Sequence, residues 1–598
     1  MITQKYSVNQ HTIETLLSWV ESGEIAIPEI QRPFVWDSTK VRNLLDSLYK
    51  GYPVGYLIVW RNPNIRGKDG KLSEGKKILI DGQQRIMALM TSILGKEKID
   101  KDYKKGRIII AFNPLEEKFE VANVSTERDP LWLNDISPLL KNEVRTSNII
   151  NEYCLKNTGA SRENVEDAVE RLKEIKKNLV GIIELSHDLD IETVTEIFIR
   201  INSEGVPLSQ ADFAMSKLAA DEKHDGYIMR KAIDYFSHIV RIPNAYENIK
   251  ENDKVFSKTD YFEKMKWLRN ENDDLYDPGY TDMLRVILAI QFERGKLSDL
   301  VSLISGRDFK TRKYEEKIIE SSFKKIESGI NLFINETNFK RFILIVRSAG
   351  FVSSNMISSM NTLTYCYALY LKLREANENS GEIERFIRRW FVISSITSRY
   401  SGSFESQIES DIKEMTSIGF NEFLEKNENA LLSETFWDVA LVQNLATSNI
   451  NSVNYNVFLA SQVKAKDKGF LSKDVTVGDL IEVKGDIHHV FPKEFLKKQG
   501  LKKNEYNQIA NLVYMQTEVN IKIGKKEPKN YLNELIEKHS KKQMTYGCIE
   551  NTDDLMENLK THCIPESILQ MSIDDYEEFL KQRRRLMAEK IKKYYKRL

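Results

Sequence analysis

Apolar residues recur three and four apart along most of this chain, and its two ends break that rhythm. From about residue 130 to 450 the spacing is helical. Examples are Ile191, Val194, Ile197, Phe198 and Ile201, and the run from Ile383 to Ile396. The first hundred residues mix periods. Thr12 to Ser22 predicts a short amphipathic helix. Pro28 and Pro33 push their predecessors out of helical space, so Ile25 to Phe34 is expected to be extended. Asp37 or Ser38 can cap a helix with Val41, Leu44, Leu45 and Leu48 on one face, which Gly51 ends. Tyr56 to Trp60 and Ile78 to Ile80 predict strands on either side of a polar loop, and Asp81 followed by Gln84 resembles a capping box for the next helix. Arg107 to Phe112 and Phe119 to Ala122 add strands. Near residue 470 the pattern shifts again, to a strand at Leu480 to Val483, a helical stretch holding Tyr506, Ile509 and Leu512, and a helix from about Lys529 to His539. The expected class is α+β and mostly helical, with no repeat at a solenoid period.

Composition narrows the picture. A length of 598 residues suggests roughly three or four domains. No apolar run approaches the roughly 18 residues that span a bilayer, and the first residues lack the blocks of a secretion signal, so a cytoplasmic protein with no membrane partner is expected. Cys154, Cys366, Cys548 and Cys563 form no CxxC pair, which argues against a disulfide framework and suits a reducing compartment. Lys plus Arg equals Asp plus Glu, 88 against 88, so any nucleic-acid binding must use local patches. One candidate patch is residues 581–598, where nine basic side chains, interleaved with Tyr594 and Tyr595, face Glu589 alone. They read equally as a solvated helix end or as phosphate contacts.

The richest chemistry lies between residues 486 and 520. The chain has eight histidines, and two stand together in Asp486-Ile487-His488-His489-Val490-Phe491-Pro492, followed by Asn511 and Asn520. Neighbouring side chains on an extended segment point to opposite faces, so one imidazole can hold a metal while the other reaches a water. Phosphodiester cleavage needs a base, a divalent cation and hard ligands to hold that cation. The series resembles the HNH (ββα-metal) endonuclease motif, in the form found in GmrD-type nuclease domains. The resemblance covers about 80 residues, through Lys525, Lys526 and Pro528. It implies His489 as general base, His488 with Asp486 as metal ligands, Asn511 as a brace for the loop or the base, and Asn520 completing the metal site. The implied cofactor is Mg2+ or Mn2+. His488 stands where an Asp is common, which favours manganese or another transition metal over magnesium.

Three N-terminal segments stand apart: Ile27 to Asp37, Asp81-Gly82-Gln83-Gln84-Arg85, and Phe198 to Gly205. The second puts a flexible turn, two amides and a guanidinium at a helix start, where backbone amides favour anions such as a nucleotide or DNA phosphate. A capped helix with a buried Arg pair is the equal structural alternative. The third reads as a helix-to-helix connection, with Ser209 capping through Asp212. Residues 70–77 imitate a P-loop, but they lack its Ser or Thr and precede a strand. The segments are similar to the GmrS-type domain, with its ParB/sulfiredoxin-like core, over about residues 8 to 220. That resemblance implies binding and hydrolysis of a nucleoside triphosphate (GTP, ATP or another) by Asp81, Gly82, Gln83, Gln84 and Arg85, with Gln31 and Arg32 nearby.

The expected organisation is a ParB/sulfiredoxin-like NTP-binding and DNA-sensing domain at 1–125, its helical extension at 126–235, a helical middle at 236–440 and an HNH domain with a basic tail at 441–598. The expected function is a modification-dependent DNA endonuclease of antiphage defence, acting on modified phage DNA. Two alternatives stand beside it: an NTPase and nicking nuclease that senses phosphorothioate modification, and an NTP-regulated DNA-binding protein with a vestigial nuclease site. The middle region, with Trp267, Trp390 and Phe391, is open to a role as spacer, homo-oligomer surface or sensing groove.

Overall fold

The computed structural model describes the chain outside 1–3, 27–35, 62–76, 100–104, 190–192, 195–196, 198–208, 544–546 and the single positions 188, 220, 222, 272, 484, 486, 542 and 548. The protein is α+β and mostly helical, in two compact units: residues 1–269 with 297–324, and residues 270–296 with 325–598.

The first unit is built on a mixed five-stranded sheet. Its strands are β1 (Tyr6–Thr12), β2 (Ile25–Ala26), β3 (Leu57–Arg61), β4 (Lys77–Asp81) and, much later in the chain, β7 (Leu179–Leu185). The order is β1-β7-β3-β4-β2. The β1/β7 and β3/β4 pairs are antiparallel, while β3/β7 and β2/β4 are parallel. Between β4 and β7 the chain adds a separate antiparallel pair, β5 (Ile110–Asn113) and β6 (Lys118–Val121). Leu57, Ile58, Val59 and Trp60 are all buried, as suits a central strand covered on both faces.

Helix α1 (Ile13–Glu21) starts where the Thr12 hydroxyl accepts the Thr15 amide at 3.2 Å, and it buries Ile13, Leu16 and Leu17. Helix α2 (Ser38–Tyr49) starts where Asp37 accepts the Lys40 amide at 2.8 Å. Its buried Val41, Leu44, Leu45 and Leu48 each contribute about 1.5–3 kcal/mol. The sequence places both helices correctly because cap and apolar stripe agree. The extended segment expected at 25–34 shows β2 at its start, and the rest lies outside the described residues, as does most of Ile191 to Ile201. Ser209 and Asp212 bond reciprocally at the start of α4 (Gln210–Ala219), as a capping box requires.

Among its described residues the second unit is helical except for one small sheet. Helix α5 (Met360–Glu375) is buried at nearly every position from Thr362 to Leu373, and α6 (Ser380–Ile396) buries Phe386, Trp390 and Phe391. Helix α7 (Val453–Ala465) packs against both α6 and the last helix of the chain.

Three expectations fail near the C-terminus. Leu480 to Val483 is not a strand: α8 (Val477–Glu482) forms there because Thr476 and Asp479 make a reciprocal capping box and Val477, Leu480 and Ile481 share a buried face. The stretch holding Tyr506, Ile509 and Leu512 is not one helix. The short helix Lys503–Tyr506 gives way to a 3-10 turn at Ile509–Asn511 and then to a strand. The basic C-terminus is not a tail: α11 (Tyr576–Lys596) is part of the core, with Arg583, Tyr594 and Tyr595 buried along it. Its charges are largely spent within the fold. Arg583 donates to the Ala510 and His562 carbonyls, Lys590 pairs with Asp467, and Lys592 pairs with Glu434.

Candidate active site

The small sheet of the second unit carries both adjacent histidines. Strand β8 (Ile487–His489) runs antiparallel to β9 (Leu512–Tyr514), with Ile487 opposite Tyr514, His488 opposite Val513 and His489 opposite Leu512. Helix α9 (Thr517–Ile523) follows at once and carries Asn520, so the order is strand, strand, helix. As alternation along a strand requires, the two imidazoles differ in setting: His488 is buried and His489 half-buried. Asp486 lies outside the described residues.

Asn511 fixes the turn that leaves β8. It is fully buried, accepts the Phe491 amide at 2.8 Å, and donates to the carbonyls of Phe491 and Tyr506 at 3.1 Å each. Its own carbonyl takes the Val490 amide at 2.8 Å. From below, Tyr531 on α10 (Pro528–Ser540) donates to the Val490 carbonyl at 2.9 Å, and Arg583 holds the Ala510 carbonyl at 2.8 Å. Both sides of the histidine turn are thereby tied to side chains from other elements.

Sequence reasoning missed Asn507. Its Oδ1 lies 2.9 Å from His489 Nε2. A carbonyl oxygen can only accept, so this contact puts the imidazole proton on Nε2 and leaves the lone pair on Nδ1. Burial holds the His489 pKa below its ordinary value. The nearby charges of Lys493 and His488 push the same way, and the Asn507 bond opposes them. A neutral imidazole at neutral pH follows.

A second missed feature is a set of lysines. Lys493, Lys498, Lys502, Lys503, Lys522 and Lys525 are exposed and make no ion pair with the described residues. They come from the segments on either side of β9. By contrast, Lys497 and Lys526 pair with Glu494 and Glu534. The set's signal in the sequence is the lysine density between 493 and 529, weaker than that of the basic run at 581–598.

The N-terminal motif is also built differently from expectation. Asp81 ends β4 and does not cap the helix that follows. Gly82 takes the cap position with φ 95°, and no side chain caps α3 (Gln83–Ser92). A Cβ on Gly82 would meet the Leu57 side chain at 2.1 Å, which explains glycine there. Arg85 bonds Asp81 at 3.0 Å and the Val54 carbonyl at 2.9 Å, Gln83 donates to the Leu79 carbonyl at 3.0 Å, and Gln84 accepts the Trp36 amide at 3.3 Å. The polar side chains thus tie strand to helix, and the uncapped backbone amides of the first turn are what the motif offers an anion. Gln31 and Arg32 lie outside the described residues.

Residues 13–219 match the family model of the GmrSD restriction endonuclease N-terminal domain. Along nearly its whole length the chain is also similar to an uncharacterized protein of Methanocaldococcus jannaschii, at 24% identity over 97% of this chain and 98% of that one. The domain match supports a restriction-endonuclease-like function with DNA as partner. Among the described residues no helix is long and apolar enough to cross a membrane.

Proposed function

We propose that this protein is a metal-dependent DNA endonuclease of HNH type, whose N-terminal unit binds a nucleoside triphosphate and senses modified phage DNA. The observation that carries the nuclease half is the Asn511-locked strand pair, which presents a half-buried, neutral His489 on Asn507 and is followed at once by the helix bearing Asn520. His489 Nδ1 takes the proton of the attacking water. The water oxygen forms its bond to phosphorus, and the bond to the departing sugar oxygen breaks. Asn507 keeps the ring oriented and its proton on Nε2. His488 and the Asn520 carbonyl are the donors for a divalent cation, with Asp486 adjacent in sequence. An imidazole and an amide oxygen suit an ion that keeps most of its waters, manganese or magnesium, and not a closed tetrahedral site. When bound, such an ion supplies charge stabilisation for the phosphate and the departing oxygen. The six unpaired lysines supply the phosphate contacts that an overall neutral chain lacks.

In the N-terminal unit, the ParB/sulfiredoxin-like reading rests on the domain match together with the uncapped helix after Asp81-Gly82. The first-turn amides of α3 receive phosphate, held in place by Arg85. Incubating the full chain with modified phage DNA and with matched unmodified DNA, with manganese or magnesium and NTP, tests the whole reading. Selective cleavage of the modified DNA is expected, with complete loss of cleavage in His489→Ala. Equal cutting of both DNAs removes the modification dependence, and full cleavage by His489→Ala removes the assigned base.

A further inference from the structure

Away from the histidines, the second unit contains a cavity of about 300 Å³ that neither the nuclease chemistry nor the N-terminal motif uses. It lies between the start of α5, the end of α6 and the start of α7. Phe351, Met356, Phe391 and Tyr400 supply apolar and aromatic wall, and Thr362, Ser395 and Asn456 are among the polar groups set into it. No charged side chain lines it. A phosphate, a carboxylate or a cation would find no counter-charge there. What fits is a neutral group with an apolar face and hydrogen-bonding edges.

Ser395 spends its hydroxyl on the Phe391 carbonyl at 2.7 Å, but Asn456 and Thr362 are not used up by the fold. Asn456 is 3% exposed and spends its amide NH2 on Ser358 at 3.0 Å, while its side-chain oxygen accepts no hydrogen bond from the described residues. The hydroxyl of Thr362, at 2% exposure, likewise makes no hydrogen bond with them. Neither oxygen is among the sealed polar atoms of the fold that lack a partner, so each opens into the cavity, where a ligand can take the place of water. The aromatic wall, in contrast, is rigid. Tyr400 donates to Asp411 at 2.8 Å and receives Trp390 Nε1 at 3.1 Å, while Arg399 holds the same carboxylate through two bonds. Phe351 and Phe391 meet edge to face at 4.9 Å. At the rim, Ser398 adopts φ 52°, a left-handed conformation that non-glycine residues hold only when their surroundings impose it.

We infer that this cavity is a binding site for a single neutral heterocyclic base, held against the Phe351–Phe391–Tyr400 wall and read on its edge by Asn456 and Thr362. Flipped bases are recognised by this combination of aromatic contact and edge hydrogen bonds, and the volume sits at the small end of ligand sites, roughly 300–1,000 Å³. The base comes either from an extruded nucleotide of DNA or from a free nucleoside. The choice of DNA as a source rests on the nuclease reading; the base chemistry does not.

Two arms separate the sources, both run on the full chain in EDTA so that cleavage plays no part. In the first, duplexes carrying 2-aminopurine are titrated with protein, and a rise in fluorescence reports an unstacked base. In the second, adenosine, guanosine, cytidine and thymidine are titrated by calorimetry. Asn456→Leu and Ser395→Trp, the second filling the cavity, are each expected to weaken whichever signal the wild type shows by at least tenfold, with thermal melts confirming that both fold. Nucleoside binding without any DNA signal would keep the site and make a free nucleoside, not an extruded nucleotide, the source of the base, while the nuclease reading stands or falls separately on cleavage and its loss in His489→Ala. Absence of both signals in the wild type, or signals unchanged in both variants, would overturn the inference.

Discussion

Asn511 makes three side-chain hydrogen bonds where no water competes for them, and its neighbour in function, Asn507, makes one at the edge of solvent. The difference in burial sets different outcomes for their loss. Asn511→Ala leaves the Phe491 amide and two carbonyls without partners in the core. It should cost about 2–4 kcal/mol in denaturant unfolding, with cleavage falling because the turn loosens. Asn507→Ala exposes its gap to water, so stability should change by less than about 1 kcal/mol. The ring of His489 then loses its orienting bond, and kcat should drop about tenfold or more with KM little changed, read by single-turnover cleavage. Asn511 was legible in the sequence because its spacing from His489 follows a known motif. Asn507 was not, since its reach to the imidazole depends on the chain stopping a four-residue helix and turning into β9. Gly82 was read as mere flexibility, although its need is steric. Gly82→Ala forces a Cβ into Leu57 at positive φ, and a loss of about 1–3 kcal/mol is expected for the N-terminal unit in thermal unfolding.

Among the elements, α11 departs most from its sequence. Nine basic residues read as a solvated or DNA-binding end, yet successive turns bury Tyr576, Phe579, Leu580, Arg583, Met587 and Ile591. The apolar stripe was present at helical spacing, but the charge density masked it, and nothing local reveals that Asp467 and Glu434 lie opposite the lysines. The capped helices α1, α2 and α8 show when local reading succeeds. In α2 both cap and stripe are legible and in α1 the stripe is; in α8 three apolar residues, Leu480, Ile481 and Val483, suit a strand until the Thr476–Asp479 cap is taken into account. Beneath α11, His562 is fully enclosed. Its Nε2 lies 2.8 Å from the Lys468 carbonyl, and burial, with Arg583 and Lys590 nearby, lowers its pKa to about 3. The folded state therefore resists a proton that the unfolded chain accepts near pH 6.5. The stability this group permits is intact above that value and is lost as pH falls towards 3, by about 1.4 kcal/mol per pH unit. Asp467, whose pKa burial raises despite Lys590, acts in the opposite sense at lower pH, so the clean window lies just below pH 6.5. Urea midpoints should fall across that window. In His562→Gln the slope should flatten, whatever the variant's stability at pH 7.

Taken over the whole molecule, 88 basic and 88 acidic residues cancel, and DNA affinity has to come from where charges are left unpaired. The lysines around β9 are such a place, and each phosphate they neutralise should steepen the dependence of log K on log salt by about 0.9. A Lys498→Gln, Lys502→Gln double variant should lower that slope by about 1 to 2 and weaken binding to all sequences alike, which a salt titration of DNA binding measures. On the proposed reading, coupling between a nucleotide and the cut is a property of the full chain. The matched domain, residues 13–219, belongs to the first unit and His489 to the second, so an NTP bound at α3 can influence cleavage only by favouring one arrangement of the protein over another. A ligand shifts such an equilibrium by no more than its difference in affinity for the two states. Weakening the nucleotide site should therefore erase the NTP effect while leaving the chemistry at His489 in place. Arg85→Ala removes the bonds to Asp81 and the Val54 carbonyl that hold the first turn of α3. The ratio of cleavage rates with and without NTP should collapse to about 1 in this variant, whichever direction the wild-type response takes. A ratio unchanged from wild type would place the nucleotide elsewhere in the chain.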